Sequence, residues 1–182
     1  MTINKAALEL LKTSEGFVDH WYPDPGTGGA PWTCCYGHTS AAGLPHYSPG
    51  QTFTIAQGEA ILQQDLAFAE SVVRTLVKVP LNDNQFGALV SFVFNVGTSN
   101  FANSTMLRLL NSGAKMTAAE EFPRWNHAAG RVLPGLTTRR LAERALFLTP
   151  TVGAAPAPAP VAQPNFWQAL IAAIIAFFNR KV

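Results

Sequence analysis

Cysteine is scarce in this chain of 182 residues: there are two, and they are adjacent, Cys34 and Cys35. Neighbouring Cα atoms lie about 3.8 Å apart, which is below the usual range for a disulfide. The two thiols therefore cannot cross-link the fold. Unpaired thiols suit synthesis in a reducing cytoplasm, and one of them can still pair between chains after release.

Positive and negative charges are balanced over most of the chain. The net charge is +2, and residues 1–149 carry 11 basic and 11 acidic side chains, so the excess comes from Arg180 and Lys181. A nucleic-acid-binding domain would carry a basic face. We therefore expect no nucleic acid as a partner.

Signals for export and for metal binding are lacking as well. Residues 1–5 lead straight into an amphipathic helix without the apolar core of a secretory signal. We expect the chain to start in the cytoplasm without a signal peptide and to need a separate membrane pore to reach any target outside.

The four histidines show no HExxH or comparable spacing, so we expect no metal or other cofactor.

The segment from Asn4 to Gly16 has the pattern of a short amphipathic helix. Leu8, Leu11 and Glu15 recur at i, i+3 and i+7, so the stripe that buries two leucines also carries the glutamate. Gly16 is a natural residue to end the helix, which places the carboxyl at the negative end of the helix dipole. Partial burial and the dipole both favour the protonated acid, which predicts a general acid.

Beyond this helix, the composition predicts a small β lobe followed by helices. Residues 17–50 are rich in Gly, Pro, Thr, Tyr and Trp, which is typical of short strands and turns. Five further helices are predicted: one begins at a Thr54/Gln57 capping box and runs to Lys78, and the others span Gln85–Asn95, Ser104–Asn111, a segment beginning at a Thr117/Glu120 capping box, and Thr137–Leu148. The fold class is therefore α+β.

The chain divides into a predicted domain over residues 1–149, a linker over 150–164 and a hydrophobic helix over 165–182. The linker holds five prolines and five alanines, which indicates an extended spacer. The apolar stretch from Phe166 to Phe178 makes a helix of about 20 Å, too short to span a hydrocarbon core of about 30 Å. We expect it to lie at a membrane surface with Arg180 and Lys181 on anionic head groups. The alternative is packing, on itself through Ala172 and Ala176 or on the domain.

Several blocks together resemble the phage-type lysozymes of glycoside hydrolase family 24. Glu15 is followed after eight residues by Asp24, and then by Thr33-Cys34-Cys35-Tyr36-Gly37-His38-Thr39. Further matching blocks follow in family order to about residue 148: Asn84-Gln85-Phe86-Gly87-Ala88-Leu89, Phe94-Asn95-Val96-Gly97, Ser104-Thr105, Trp125-Asn126, Gly135-Leu136 and Arg139-Arg140. Two features depart from the family pattern: the loop over residues 25–32 is longer, and Cys35 replaces the usual glycine.

The resemblance implies a lysozyme-like fold, with a small β-hairpin lobe and a larger helical lobe around a sugar cleft. It implies that Glu15 protonates the glycosidic oxygen while Asp24 and Thr33 hold or activate the attacking water. It further implies that His38 supports the loop under Glu15 and belongs to the substrate-binding region. Three more positions are implied to line the cleft, namely Thr39, Phe94 and Ser104.

The implied function is an endolysin that hydrolyses the β-1,4 bond between N-acetylmuramic acid and N-acetylglucosamine in peptidoglycan for host cell lysis, working as a monomer. Alternatives stay open at this point. A lytic transglycosylase also uses a glutamate, and a membrane-disrupting or wall-binding protein would act through its C-terminal helix.

Individual residues also have simpler interpretations. Asp24 can serve as the side-chain acceptor of a turn, and Thr33 can be an ordinary strand residue. Cys35 and His38 with the distant His127 suggest a thiol enzyme, although cysteines in apolar runs more often belong to the core. Arg139, Arg140 and Arg144 with Glu143 are predicted to form a solvated face with ion pairs.

Overall fold

The computed structural model describes residues 1–24, 27–128 and 130–151. These residues fall in one compact unit, Met1–Thr151. Most of the predicted linker and the whole predicted C-terminal helix lie outside the described residues. In chain order the elements are α1 (Lys5–Glu15), β1 (Val18–Pro23), β2 (Trp32–Cys35), β3 (His38–Thr39), α2 (Ile55–Leu76), α3 (Asp83–Val96), α4 (Thr98–Ala102), α5 (Thr105–Asn111), α6 (Lys115–Ala119), a 3₁₀ turn (Phe122–Trp125), β4 (His127–Ala128), β5 (Arg131–Val132) and α7 (Pro134–Leu148).

Helix α1 has the ends that the sequence predicts. The Asn4 side chain accepts the backbone N–H of Ala7 at 2.9 Å and so caps the first turn. Gly16 ends the helix with φ of 70°, a backbone conformation that glycine adopts without the strain a Cβ would cause. Leu11 is fully buried, and Glu15 is left at the last helical position.

The β lobe is a three-stranded antiparallel sheet in the order β1-β2-β3. Tyr22 lies opposite Thr33, and Pro23 lies opposite Trp32, so the hairpin loop begins at Asp24. A small aromatic and thiol core lies under this sheet, formed by Trp21, Cys34, Cys35, Phe53 and Ile61.

The helical lobe is built around α3, which is buried along nearly its whole length and contacts α1, α2 and α7. Helices α2 and α3 both begin with a capping box, at Thr54 and at Asn82. Gly87 in α3 allows a close crossing with α1, because a Cβ at this position would collide with the Cβ of Ala7.

Two sequence predictions about helices were wrong in detail. Thr117 lies inside α6 rather than before a helix, and Glu120 is the residue that ends it, so this apparent capping box has no capping role. Helix α7 begins at Pro134, three residues before the predicted start at Thr137. A proline is favoured in the first helical turn because its missing N–H has no partner there in any helix.

No helix within the described ranges is long and apolar enough to cross a membrane.

Candidate active site

Glu15 is the centre of the candidate site. Its side chain is 19% exposed. Oε1 accepts a hydrogen bond from Nη1 of Arg139 at 2.5 Å. Oε2 lies against Gly37, where an added Cβ would come within 3.1 Å of it. The two carboxyl oxygens therefore have different surroundings, one an ion pair and the other a backbone loop without a side chain.

Arg139 connects Glu15 to a second, fully buried carboxylate. Its side chain is 5% exposed and its Nε donates to Glu143 Oε1 at 3.1 Å. Its Nη2 donates to the backbone carbonyl of Ser91 at 3.2 Å. Glu143 Oε1 also accepts from Arg140 Nη2 at 3.0 Å. One guanidinium therefore fixes the end of α1 to both α3 and α7.

The predicted solvated face on α7 is thus wrong for three of its four residues. Arg139, Arg140 and Glu143 are buried, whereas Arg144 is partly exposed and pairs with Glu120 on the surface. Burial raises the pKa of the Glu143 carboxyl, although the two neighbouring guanidinium groups oppose that shift. Burial also lowers the pKa of Arg140 to about 10.

The expected environment of Glu15 is confirmed only in part. The carboxyl is partly buried at the end of a helix, as the sequence predicts. The Arg139 guanidinium is an ion-pair partner that the expectation did not include. Helix periodicity alone did not reveal this partner.

Thr33 and Glu15 have a common neighbour, Tyr22. Tyr22 and Thr33 lie directly opposite each other across β1 and β2. Burial raises the pKa of the Tyr22 phenol, and the charge of Glu15 raises it further. Tyr22 is therefore near both the predicted acid and the predicted water-holding threonine.

Asp24 immediately follows β1, two residues after Tyr22. Asp24 lies at the start of the hairpin loop, next to the strand pair that carries Tyr22 and Thr33. Asp24 Oδ1 accepts the backbone N–H of Thr27 at 3.0 Å, which stabilises the turn of the hairpin loop. Asp24 therefore has the turn-forming role that its sequence allows.

A cavity of about 620 Å³ lies beside Glu15. Thr39 and Phe94, both predicted to line the cleft, do line this cavity, and so does Gly37. Glu15 is not itself among the residues that line the cavity, but Gly37, which lines it, lies against Glu15 Oε2.

His38 is placed differently from Thr39 and Phe94. The side chain is 1% exposed. Nδ1 lies 2.9 Å from Asp65 Oδ2, and Nε2 lies 3.1 Å from the carbonyl oxygen of Pro45. Burial lowers the pKa of His38, but hydrogen bonding to Asp65 and its charge raise it more, so the net pKa is raised. With both ring nitrogens occupied, His38 is placed to support its loop rather than to touch a sugar.

Comparison with known proteins identifies the family. The phage lysozyme family model matches residues 12–143. The endolysin of Bacillus phage PZA is 42% identical over 148 residues, which cover 81% of this chain and 55% of that relative. The endolysin of Salmonella phage P22 is 40% identical over 149 residues, covering 82% of this chain and 99% of that relative. The chain belongs to the phage lysozyme family.

A solved structure is similar over the same region of this lysozyme. The muramidase domain of SpmX from Asticaccaulis excentricus superimposes with a TM-score of 0.73 at 37% identity, covering 82% of this chain and 99% of that one. The predicted α+β lysozyme fold is therefore confirmed, and so is the assignment to the glycoside hydrolases.

Ser104 of this lysozyme does not line the cavity beside Glu15. It caps α5, accepting the backbone N–H of Leu107 at 3.0 Å and donating to the carbonyl of Phe101 at 2.7 Å. It contributes to a separate shallow polar groove with Asn103 and Trp125. The structure thus separates Ser104 from Thr39 and Phe94.

The two cysteines of this lysozyme are buried and unpaired. Burial raises the pKa of both thiols above the ordinary value, and most strongly that of Cys34. A buried thiol with a raised pKa is a poor nucleophile, which argues against the thiol-enzyme interpretation. Cys35 has φ of 54°, a conformation that favours glycine, which agrees with glycine being the usual residue of the family at this position.

In the part of this lysozyme that the structure describes, no group of three or more His, Cys, Asp or Glu side chains is arranged to hold a metal ion.

Two residues near the acid were missed by sequence reasoning. Tyr22 carried no signal beyond its place in a predicted strand. Arg139 did belong to one of the blocks that resemble the family, and its recurrence there was the available hint of a role near the site.

Proposed function

We propose that this lysozyme is an endolysin that hydrolyses the β-1,4 bond between N-acetylmuramic acid and N-acetylglucosamine in bacterial peptidoglycan, and so lyses the host cell. The observation that carries the proposal is the asymmetry of the Glu15 carboxyl: Arg139 holds Oε1, and Oε2 lies against Gly37 on the cavity wall. A carboxyl held on one side offers its other oxygen in a fixed direction.

In this proposal Glu15 is the general acid and delivers its proton from Oε2 to the glycosidic oxygen. A saccharide in the cavity covers the carboxyl and removes water from it, so that the proton passes to the glycosidic oxygen rather than to solvent. General acid catalysis of this kind contributes about 10²- to 10⁴-fold to the rate.

Asp24 and Thr33 are proposed to handle the attacking water. The developing oxocarbenium charge needs an anion on the far side of the bond, and a hydroxyl beside that anion can orient the water. The register of the hairpin supports this division, because Thr33 pairs with Tyr22 and Asp24 follows two residues later. Tyr22 is proposed to position Thr33, because the two residues lie opposite each other in the hairpin.

The test is hydrolysis of isolated peptidoglycan by the full chain and by Glu15→Gln, with the products weighed by mass spectrometry. We expect Glu15→Gln to lose about 10³-fold in rate. The matched control is Glu9→Gln, an exposed glutamate on the same helix, which should keep wild-type activity. Asp24→Asn and Thr33→Ala should each lower the rate without changing the product.

The products decide between hydrolysis and the transglycosylase alternative. Hydrolysis gives reducing-end muropeptides, whereas cyclisation without water gives 1,6-anhydro products. Anhydro products would contradict the water-handling roles of Asp24 and Thr33. Lysis by Glu15→Gln at the wild-type rate would contradict the whole active-site proposal and favour a membrane-disrupting protein.

We also propose that the segment from Phe166 to Lys181 binds anionic membrane surfaces, on the sequence pattern alone. Apolar residues followed by Arg180 and Lys181 are typical of interfacial segments. We propose in addition that the protein starts in the cytoplasm and reaches the cell wall through a separate membrane pore. Liposome flotation of the full chain against a truncation after Pro150 tests the binding, and equal flotation of the two would contradict it.

A further inference from the structure

The cavity beside Glu15 has an exposed aromatic side chain on its wall. Phe68 of α2 is 67% exposed, and it lines the cavity together with Leu44, which is 69% exposed. Single exposed apolar residues are common on protein surfaces. Two large ones from separate segments that line one concave site next to a candidate acid are more informative.

The face of α2 that carries Phe68 also carries polar groups. Gln64 and Asp65 line the same cavity, and they precede Phe68 by four and three residues, so the three side chains are neighbours on one helix face. The Gln64 side chain is exposed, and Asp65 is partly exposed beside His38. An amide, a carboxylate and a phenyl ring are therefore presented together.

This combination matches the two kinds of surface on a pyranose. One side of the ring presents C–H groups with partial positive charge, which are attracted to the negative face of an aromatic ring. The edges present hydroxyl and acetamido groups, which need hydrogen-bond partners such as Gln64. The cavity is also next to the candidate acid, because Gly37 lines the cavity and lies against Glu15 Oε2.

We propose that Phe68 is a substrate-contact residue that stacks on a sugar ring of the glycan chain while Gln64 bonds to its edge. This inference rests on the proposed function, since it takes peptidoglycan as the occupant of the cavity. It adds a residue whose role is to bind and position the glycan, not to take part in bond cleavage.

The test separates binding from chemistry by using a Glu15→Gln background. Sedimentation with isolated peptidoglycan is measured for Glu15→Gln alone and with Phe68→Ala, Phe68→Tyr or Phe68→Leu added. We expect binding to weaken about tenfold with alanine, to weaken less with leucine, and to stay unchanged with tyrosine, which keeps the ring. Met116→Ala is the matched control, because Met116 is 68% exposed and does not line the cavity.

In the active chain, Phe68→Ala should raise KM about tenfold while kcat changes little. Thermal stability should be unchanged, because the side chain is already largely exposed.

The outcomes distinguish the inference from the function on which it rests. If Glu15→Gln does not bind peptidoglycan, the cavity is not the glycan site, and both proposals fall. If Glu15→Gln binds and Phe68→Ala binds equally well, only the role of Phe68 is overturned. If leucine binds as tightly as phenylalanine, stacking is overturned because any apolar side chain suffices.

Discussion

Replacing Arg139 by lysine isolates the geometry of its guanidinium, because the positive charge is kept. The native side chain makes three contacts in three directions: Nε to Glu143 at 3.1 Å, Nη1 to Glu15 at 2.5 Å and Nη2 to the Ser91 carbonyl at 3.2 Å. Lysine has one nitrogen on a flexible stem and cannot reproduce this fork. We expect it to keep one of the three contacts.

The expected loss of stability follows from the two contacts that disappear. A hydrogen bond to a charged group contributes about 1.5–3 kcal/mol, so the loss of two such bonds in Arg139→Lys should lower the free energy of unfolding by about 3–6 kcal/mol. In a domain of this size each kcal/mol corresponds to about 2–4 °C in Tm. Urea denaturation measures the first quantity, and calorimetry measures the second. The rate constant kcat should fall as well, because a single flexible ammonium group cannot fix the orientation of Glu15 as the guanidinium fork does.

Arg144→Lys is the matched control on the same helix. Arg144 also pairs with a glutamate, but it is 33% exposed and its partner Glu120 is 57% exposed. An exposed ion pair contributes little to stability in water, so this variant should be nearly neutral in stability and activity. Equal destabilisation by the two lysine substitutions would refute the argument that the buried network fixes the end of α1.

Three further predictions concern the supporting structure. Because the pKa of His38 is raised in the folded state, its stabilising contribution is fully present below the unfolded pKa of about 6.5 and is lost as pH rises through the folded pKa. The loss of stability in His38→Asn, measured by urea denaturation, should therefore be larger at pH 5 than at pH 9. The reverse order would contradict the ion pair of His38 with Asp65. Gly87→Ala should destabilise the protein by about 1–3 kcal/mol, because the added Cβ collides with α1. Gly135→Ala is the control and should be neutral or slightly stabilising, because its added Cβ meets open space. Similar Tm values for the two variants would contradict the close crossing of α1 and α3. Cys34 and Cys35 should resist iodoacetamide in the native protein and react after unfolding, because both thiols are buried and have a raised pKa. Mass spectrometry measures the labelling. Rapid labelling of the native protein would show that the β lobe opens.

Local patterns predicted the helices well where one physical signal dominated. Asn4 and Gly16 bound α1 as expected, and the capping box at Thr54 begins α2. Continuous apolar sequence indicated that α3 lies in the core. The false capping box at Thr117 shows the limit of such patterns, because the same residue spacing also arises by chance inside a helix.

The candidate site residues could be proposed from the sequence, but their contacts could not. The spacing of Glu15, Asp24 and Thr33 came from the family pattern, and helix periodicity placed Glu15 on the apolar side. The burial of Arg139 could not be read from α7, because an arginine four residues before Glu143 has the same pattern on a surface as in a core. Only the tertiary crossing of α1, α3 and α7 decides which of the two occurs.

The Glu15–Arg139 contact joins residues 124 positions apart in the chain. During translation, the nascent polypeptide therefore carries its acid long before the arginine that orients it has been synthesised. A ribosome-bound chain that lacks α7 should fold its early helices yet cut no glycan, so that lytic competence arises only when the domain is nearly finished.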